Sequence, residues 1–341
     1  TMVAAYYVND VVAPLKTMLE TDLAWSSTDF GFFTGGYSFL NVFFLMLIWG
    51  GLILDRFGIR FTGKLATILM VGGTALEYYA MTGLAGADAT LFGINEIFGY
   101  KTGVFVAFAG YSIFGVGAEV AGITVSKIIA KWFKGKELAT AMGVQVALAR
   151  IGSQAGYAVA IPLARAFGIS TPVLLGLVLL LGGMIAFFVF AVMDKKLDKQ
   201  MEAAAIAAGT EDEEEKFSFK DVKNILVNPG FWLIALLCVL FYSCVFPFQK
   251  FASELMIIKY GINENVAGTF AGLPALGALI LTPVFGGFID KRGKSASIML
   301  LGSAMLICVH FIYAIPDINY WLVAIVLMII LGIAFSLVPS A

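Results

Sequence analysis

The chain has 341 residues, of which 60% are hydrophobic and 13% are charged, and its formal net charge is −1. A soluble fold of this length would need much more polar surface, and a charge balance so near neutrality gives no sign of a nucleic-acid partner. Apolar runs of about 20 residues recur along the chain, each long enough to cross a bilayer as a helix. Because a helix satisfies its own backbone hydrogen bonds where water is absent, the composition predicts an all-α polytopic membrane protein.

The hydrophobic runs predict ten spans, with the first and last incomplete. Between the sixth and seventh, residues 194–228 contain the acidic run EDEEEK and few large apolar residues, which indicates a cytoplasmic linker with room for a short helix. The chain is therefore expected to form a bundle over residues 1–193, the linker, and a second, incomplete bundle over residues 229–341. The predicted spans cover residues 1–12, 30–54, 61–84, 102–131, 137–163, 171–193, 229–254, 264–289, 295–315 and 320–341.

Lysine and arginine are distributed unevenly between the two sides of this predicted topology. Alternate connections hold 16 of the 22 basic residues, whereas the other connections keep only Lys16, Lys101, Arg165, Lys250 and Lys259. The positive-inside rule places the lysine-rich connections in the cytoplasm. One missed or invented span would have scrambled this asymmetry, so the charges support the span order.

One short motif occurs twice in the chain. Residues 50–60 read GGLILDRFGIR and residues 286–294 read GGFIDKRGK; both contain a glycine, an aspartate four positions later, a basic residue and another glycine. Each copy follows the second span of its bundle on the lysine-rich side. The shared spacing, side and span order indicate two halves of similar architecture, which many transporters use for alternating access around a midplane site.

The first copy resembles the signature loop between spans two and three of the major facilitator superfamily, and the second resembles its weaker repeat. The resemblance implies twelve helices in two six-helix bundles, of which this chain would lack the start of span one and spans eleven and twelve. It also implies that the motif aspartate faces a helix N-terminus of the other half, a favourable place for a carboxylate. The residues expected to form this conformational gate are Gly51, Asp55, Arg56, Gly58, Arg60, Gly286, Asp290, Arg292 and Gly293.

Three further segments resemble one branch of that superfamily more closely. They are GVGAE at residues 115–119, WFKGKEL at residues 132–138 and ARIGS at residues 149–153. Their order and spacing are similar to those of the branch that contains the lysosomal dipeptide transporters and their bacterial relatives. In that branch the acid of the first segment and the arginine of the third are thought to hold the two ends of a zwitterion, which implies such roles for Glu119 and Arg150.

Arg150 is the most informative residue of the sequence. An arginine near the centre of a span costs at least ~2.5 kcal/mol on insertion scales, so it should face a cavity or a partner. Ser153, Gln154 and Tyr157 follow it at helical spacing and form a polar stripe. Glu119 in the preceding span is the natural counter-charge. Either the two form a buried ion pair that fixes packing, or Arg150 takes a solute carboxylate and Glu119 an ammonium group.

Other polar residues within the spans are weaker candidates. Tyr37 in the second span, and Tyr242 and Gln249 in the seventh, are predicted to complete the wall of the solute site. Asp10 is placed either at the cavity or as a loop anchor. Glu77, beside Tyr78 and Tyr79, is a candidate proton site, although an interfacial position near the outer leaflet is favoured.

The chain also departs from patterns of the wider superfamily. Tyr111 stands where many proton-coupled members have an arginine, which removes one argument for proton coupling. The fifth span lacks the glycine–proline pattern of drug/proton antiporters, which lowers the case for multidrug efflux.

These observations favour a secondary transporter or uniporter for a small polar or zwitterionic solute, a dipeptide or an amino-acid-like compound. The alternatives are an organic-anion exchanger that uses Arg150 and a transport-dead receptor or assembly partner. A membrane enzyme is disfavoured because the sequence shows no nucleophile–base pair, metal cluster or phosphate-cradling loop, and no cofactor is expected. Besides the solute, membrane lipid is the expected partner, and an accessory subunit is left open. A bacterial inner membrane is preferred to a lysosomal membrane.

Overall fold

The computed structural model describes residues 1–86, 89–133, 137–208, 226–292 and 294–340, and these residues are almost entirely helical. A 3-10 turn at Ala13–Leu15 and a small antiparallel hairpin, β1 (Glu96–Ile97) and β2 (Tyr100–Lys101), are the short elements. The helices are α1 (Met2–Val11), α2 (Lys16–Asp22), α3 (Ser27–Phe43), α4 (Met46–Thr82), α5 (Thr102–Trp132), α6 (Leu138–Phe167), α7 (Thr171–Ala208), α8 (Pro229–Ile258), α9 (Glu264–Ala271), α10 (Leu273–Arg292), α11 (Ser295–Ala314) and α12 (Trp321–Ser340).

The helices follow the order of the predicted spans, with breaks that hydrophobicity did not reveal. α3 starts in a capping box, in which the Ser26 hydroxyl accepts from the Asp29 backbone N–H and the Asp29 carboxylate accepts from that of Ser26. Leu45, with a φ of +52°, separates α3 from α4, and the two helices meet at 58°. Gly58 turns the chain inside α4 with a φ of +76°, a conformation open to glycine at no steric cost. The second predicted span is therefore α3 with the start of α4, and the third is the rest of α4.

Length and composition alone pick out six membrane-crossing helices in the described residues, or seven if the bent pair α3 and α4 counts as one span. The other predicted spans are short or polar. The first corresponds to α1, which has 10 residues and ends before the 3-10 turn. The fifth corresponds to α6, which carries Gln145, Arg150 and Gln154 in its central part, and these lower its hydropathy. A polar helix at that place is expected if it lines a cavity rather than lipid.

Glycines allow α4 and α5 to cross closely. A Cβ added to Gly73 would lie 2.4 Å from the Phe114 backbone nitrogen and 2.5 Å from the Gly110 carbonyl oxygen, and one added to Gly110 would lie 2.6 Å from the Gly73 carbonyl oxygen. Gly117 meets the Ala66 carbonyl oxygen in the same way, at 2.7 Å. In lipid the hydrophobic effect does not drive helices together. Small residues at a crossing let the backbones approach, and the close van der Waals packing stabilises the helix pair.

The helices form two hydrophobic clusters, one within residues 1–208 and the other mainly within residues 226–340. These two parts are called the N-half and the C-half. Ala13 and Tyr157 of the N-half belong to the second cluster, so the halves share packing where they meet.

The two halves are joined at one face of the molecule. Here the Arg165 guanidinium at the end of α6 pairs with Glu264 and donates to Asn265 at 2.8 Å, and Gly268 packs on the Tyr157 carbonyl. This face, which carries α2, the end of α6 and the start of α9, is called the closed face.

A buried lysine reinforces the closed face. The Lys16 ammonium is 2% exposed and donates to Glu20 at 2.7 Å, to the Ser27 hydroxyl at 2.9 Å and to Glu254 of the C-half. Lys16 lies beyond the first predicted span, and its hydrogen bond holds the pKa of the Glu20 carboxyl below its usual range.

The opposite side of the N-half, called the basic face, carries Arg56, Arg60, Lys127 and Lys131. In the described residues the ion pairs of this face stay within the N-half, whereas the pairs that join the halves lie on the closed-face side. The conformation is therefore shut on the face opposite the basic connections.

We expect Gly73→Val to destabilise the protein by about 1–3 kcal/mol, because the new side chain would push α4 away from the α5 backbone. Gly72→Val is the matched control, since a Cβ at Gly72 meets nothing within 4 Å and the intrinsic helix cost of valine is the same. The measurement is the thermal unfolding midpoint of each purified variant in detergent. Equal midpoints for the two variants would contradict the close crossing.

Candidate functional site

A cavity of about 580 Å³ lies between the two halves. Side chains of α1, α3, α5 and α6 form its N-half wall, and side chains of α8 and α10 form its C-half wall. Six of the seven residues predicted to bind solute line it, and they are Tyr37, Glu119, Arg150, Tyr157, Tyr242 and Gln249.

Gln154 is the predicted residue that does not line the cavity. Its side chain packs against Gly272, where a Cβ would lie 2.4 Å from the Gln154 Oε1, and its amide nitrogen is 3.5 Å from the Thr269 carbonyl oxygen. Four residues advance an α-helix by about one turn, which carries Gln154 from the level of Arg150 to the α9–α10 junction of the C-half. Gln154 thus sits at the contact between the halves.

The Arg150 guanidinium has an aromatic neighbour and, among the described residues, no carboxylate partner. Its central carbon lies 4.8 Å from the centre of the Phe335 ring of α12, a cation–π contact from the C-half. Its Nε is buried and makes no hydrogen bond in the part of the chain that the structure describes. Since Arg150 lines the cavity and has no carboxylate partner, its guanidinium can pair with an anion there.

Glu119 pairs with a tyrosine rather than with Arg150. The Tyr37 hydroxyl donates to Glu119 Oε1 at 2.8 Å. The sequence explains this contact, since Gly115 lies one turn before Glu119 and a Cβ there would meet the Tyr37 carbonyl oxygen at 2.4 Å. The missing side chain brings α3 against α5, and the other lone pairs of the carboxylate stay free to accept. The alternative of a packing ion pair with Arg150 is not formed in this conformation.

Lys250 is a cavity residue that the sequence analysis assigned to a connection. It lies in α8, and its ammonium donates to the Asn9 carbonyl oxygen at 2.5 Å and to the Tyr111 hydroxyl oxygen at 3.0 Å. Asp10 of α1, also in the cavity wall, lies 3.7 Å away. The available signal was its spacing, because Lys250 follows Tyr242 and Phe246 at i+8 and i+4, on the same helix face.

The remaining wall residues contribute bridging and aromatic contacts. The Tyr157 hydroxyl donates to the Gln249 carbonyl oxygen at 3.0 Å, which ties α6 to α8. Tyr242 and Phe246 stack with ring centres 5.0 Å apart. The cavity therefore combines charged groups at separate points with an aromatic wall, the usual composition of a small-molecule site.

The first copy of the repeated motif makes its contacts inside the N-half. Lys127 of α5 donates to Asp55 at 2.8 Å, and both side chains are about half exposed. The Arg56 guanidinium lies 5.6 Å from the centre of the Phe57 ring, Gly58 forms the turn already described, and a Cβ at Gly51 would meet nothing within 4 Å. In the described residues no hydrogen bond or ion pair joins Asp55 to the C-half.

Arg60 belongs to an ion cluster with the end of α7. It donates to Asp194 at 3.1 Å and to Asp198 at 2.6 Å, and Lys131 binds both carboxylates as well. Asp194 is completely buried and also accepts from the Trp132 indole N–H at 3.0 Å. The predicted linker thus begins inside α7, which continues to Ala208.

The second motif copy is only partly described. Gly286 lies in α10, and the Arg292 guanidinium lies 5.3 Å from the centre of the Phe288 ring. The side chain of Asp290 and the whole of Gly293 lie outside the described residues, so the contact expected between Asp290 and the start of α6 stays a prediction.

We expect Asp194→Ala to lower the free energy of unfolding by about 3–5 kcal/mol, because Arg60 and Lys131 lose the buried carboxylate that they share. Asp55→Ala removes a half-exposed ion pair and should cost about 1 kcal/mol or less. Denaturation of both variants in mixed detergent micelles gives the comparison. Equal losses would show that the buried cluster is no stronger than the surface pair.

Comparisons with known proteins agree with this architecture. The model of the Major Facilitator Superfamily matches residues 1–341. The chain is 27% identical to the lysosomal dipeptide transporter MFSD1 of Homo sapiens over 351 residues, which cover 99% of this chain and 68% of that protein. It is 31% identical to the MFSD1 of Gallus gallus over 245 residues, which cover 68% of this chain and 52% of that protein.

Solved structures of transporters share the fold. The crystal structure of a D-xylose-proton symporter matches with a TM-score of 0.67 and 15% identity, covering 98% of this chain and 77% of that one. The inward-open conformation of the xylose transporter XylE from E. coli gives a TM-score of 0.62 at 15% identity, covering 98% and 77%. Tetrameric PepTSo2 gives 0.59 at 13% identity, covering 99% and 81%.

Proposed function

The chain belongs to the Major Facilitator Superfamily, and we propose that this multi-pass membrane transporter carries a small zwitterionic solute, a dipeptide or an amino-acid-like compound, by alternating access. The observation that carries the proposal is the separation of two opposite charges in one cavity. Arg150 and Glu119 both line the wall, yet Glu119 is bonded to Tyr37 and Arg150 is stacked on Phe335.

Each charge suits one end of a zwitterion. The planar guanidinium of Arg150 matches a carboxylate with two parallel hydrogen bonds. Glu119 accepts one hydrogen bond from Tyr37 and has lone pairs left for an ammonium group. Between these points, Tyr242, Phe246 and Phe251 supply the apolar surface on which side chains of varied shape can lie.

The charges of Arg150 and Glu119 also suggest how solute binding could be coupled to closure of the cavity. A buried cation without a counter-ion is costly, and the cost falls when a carboxylate of the solute neutralises it. A solute with both charges offsets the desolvation of Arg150 and of Glu119 together. The loaded cavity can then close on the basic face more easily than a cavity that holds a solute with only one of the two charges.

The relatives support the same solute class. Proteins named lysosomal dipeptide transporter MFSD1 align with almost the whole chain at 25–27% identity in several species. We propose from the positive-inside rule that the basic face is cytoplasmic. A bacterial inner membrane remains our preferred location from the sequence, and the named relatives favour a lysosomal membrane as the alternative.

The gate and the halves are part of the proposal. Asp55, Arg56, Arg60 and their counterparts in the second motif copy would rearrange as the basic face closes, with residues 1–193 and 229–341 moving as two bundles about the linker. In the present conformation Asp55 is engaged by Lys127. Closure would exchange this pair for a contact with the C-half.

A second candidate is an organic-anion exchanger. Arg150 and Lys250 both line the cavity, and two cations favour an anionic solute. Lys250, however, is already bonded to Asn9 and Tyr111 and lies near Asp10, which leaves Arg150 as the cation without such partners.

We expect Arg150→Ala to lose counterflow of a dipeptide in proteoliposomes by roughly 30-fold or more, equivalent to about 2 kcal/mol for one lost charged partner. In the unmodified protein, counterflow of a dipeptide amidated at its C-terminus should be reduced by the same factor, because the amide has no carboxylate for Arg150. Arg165→Ala is the matched control, since it removes a cation from the same helix outside the cavity and should keep the discrimination against the amide. Undiminished counterflow in Arg150→Ala would overturn the site assignment.

Glu119→Gln separates the two candidate functions. For a zwitterion carrier, this variant should lose the preference for a free over an acetylated N-terminus, because the amide no longer offers a negative charge to the ammonium group. For an anion exchanger, transport should be unchanged. Thermal-shift measurements with the same dipeptides report binding independently of transport, and binding without any counterflow would indicate a receptor.

A further inference from the structure

Glu77 is a buried acid that the solute site does not use. It lies in α4 and is 0% exposed, and neither of its carboxylate oxygens has a hydrogen-bond partner in the described part of the chain. Tyr78 and Tyr79, which follow it, favour an interfacial position. The structure instead places its side chain inside the protein.

The surroundings of Glu77 contain both a charged and a polar neighbour. α5 packs against it, since a Cβ added to Gly110 would lie 2.9 Å from the Glu77 backbone nitrogen. Tyr111 follows Gly110 in α5, and its hydroxyl accepts from the Lys250 ammonium of α8 at 3.0 Å. Asp10 of α1 lies 3.7 Å from the same ammonium. Tyr111, Lys250 and Asp10 are therefore the titratable groups on the helices around this part of α4.

Lys250 gives its hydrogen bonds to other groups. Its ammonium donates to the Asn9 carbonyl and to the Tyr111 hydroxyl, and Asp10 is the nearest carboxylate at 3.7 Å. The Tyr111 hydroxyl donates to the Asn9 carbonyl at 2.6 Å. Glu77 therefore receives no donor, and an ionised carboxylate that is buried without donors is costly. Burial without donors therefore favours the protonated form of this carboxyl group, and a nearby cation opposes it.

We propose that Glu77 is a proton-binding site, and that its proton is linked through Lys250 to the opening of the closed face. Lys250 belongs to the C-half, whereas Glu77, Tyr111, Asn9 and Asp10 all belong to the N-half. In the present conformation the Asn9 carbonyl and the Tyr111 hydroxyl hold the Lys250 ammonium against the N-half. Opening of the closed face would withdraw it.

The direction of the linkage follows from this placement. A nearby cation favours the ionised carboxylate, so withdrawal of Lys250 favours the protonated form. By thermodynamic reciprocity, protonation of Glu77 favours the open form of that face. The step is a single equilibrium, in which the carboxylate takes a proton from water and returns it to water. Protonation of Glu77 would then shift the equilibrium between the two conformations. It would do so although Tyr111 occupies the position where many proton-coupled members have an arginine.

Infrared difference spectroscopy of the purified protein in the absence of solute tests the site itself. We expect the C=O stretching band of a buried carboxylic acid, which a carboxylate does not give, to be lost in Glu77→Gln. Glu254→Gln, which removes another acid near the closed face, should keep the band. Lys250→Met should retain it to a higher pH, because the cation that favours ionisation is gone. An unchanged band in Glu77→Gln would overturn the proposal.

A distance measurement tests the linkage to the closed face. Spin labels at Asp22→Cys and Ile258→Cys, on a background in which Cys238, Cys244 and Cys308 are replaced by serine, report the separation of the halves at this face. We expect the longer distance to gain population as the pH falls, and Glu77→Gln to lose this pH dependence. A Glu77→Gln variant that keeps the full response would overturn the linkage, as would a band at Glu77 that does not change with pH.

Glu254→Gln is again the matched control. It weakens the Lys16 pair and should shift the balance at every pH while keeping the response to pH. Glu20 titrates below the usual range of a carboxyl because Lys16 lowers its pKa, so its contribution is confined to more acidic solutions. Neither measurement uses a solute, so failure of dipeptide transport leaves both results interpretable.

Discussion

The cost of a bare charge inside a membrane governs the arrangement of this protein. A charged side chain near the middle of a span must face a cavity or find a partner. Here Arg150, Glu119, Asp10 and Lys250 all line the cavity between the halves. Glu119 has its partner Tyr37 within the N-half, whereas Arg150 and Lys250 have partners across the two halves. Arg150 contacts the Phe335 ring of the C-half, and Lys250 of the C-half donates to the Asn9 carbonyl of the N-half. The contacts of these two charged groups therefore depend on the relative position of the two halves.

Close backbone packing is what brings these charges together. Gly115 lets α3 approach α5, which sets the Tyr37 hydroxyl on Glu119. Gly73 and Gly110 do the same for α4 and α5, and Glu77 lies one turn beyond that crossing, where its carboxylate oxygens have no hydrogen-bond partner in the described residues. Gly272 accepts the Gln154 side chain at the junction of the halves. The chain's many glycines therefore have two consequences, close helix crossings and buried polar groups with few partners.

Much of the fold and part of the site could be read from the sequence. The resemblance to the major facilitator superfamily is confirmed and the helices follow the order of the predicted spans, whereas the gate role of the repeated motif stays a prediction. Arg150 and Glu119 could be found as candidates because charges are rare within apolar runs. Lys250 escaped because it lies near the end of such a run, where a lysine usually reaches the membrane surface. The break at Leu45 gave no signal, since a leucine in an apolar run does not mark a positive φ. The partners of Asp55 depend on the conformation of the protein, which no single sequence pattern specifies.

The attachment of Lys250 to the N-half has an electrical consequence for the cavity. In the proposed cycle Arg150 and Glu119 would move with the N-half and Lys250 with the C-half, so the electrostatic potential at the solute would differ between the two conformations. A carboxylate near Arg150 would experience the field of a second cation only while the closed face is shut. The cavity would then bind an acidic solute with different affinities on the two sides of the membrane, a difference that originates in the helix to which one lysine belongs.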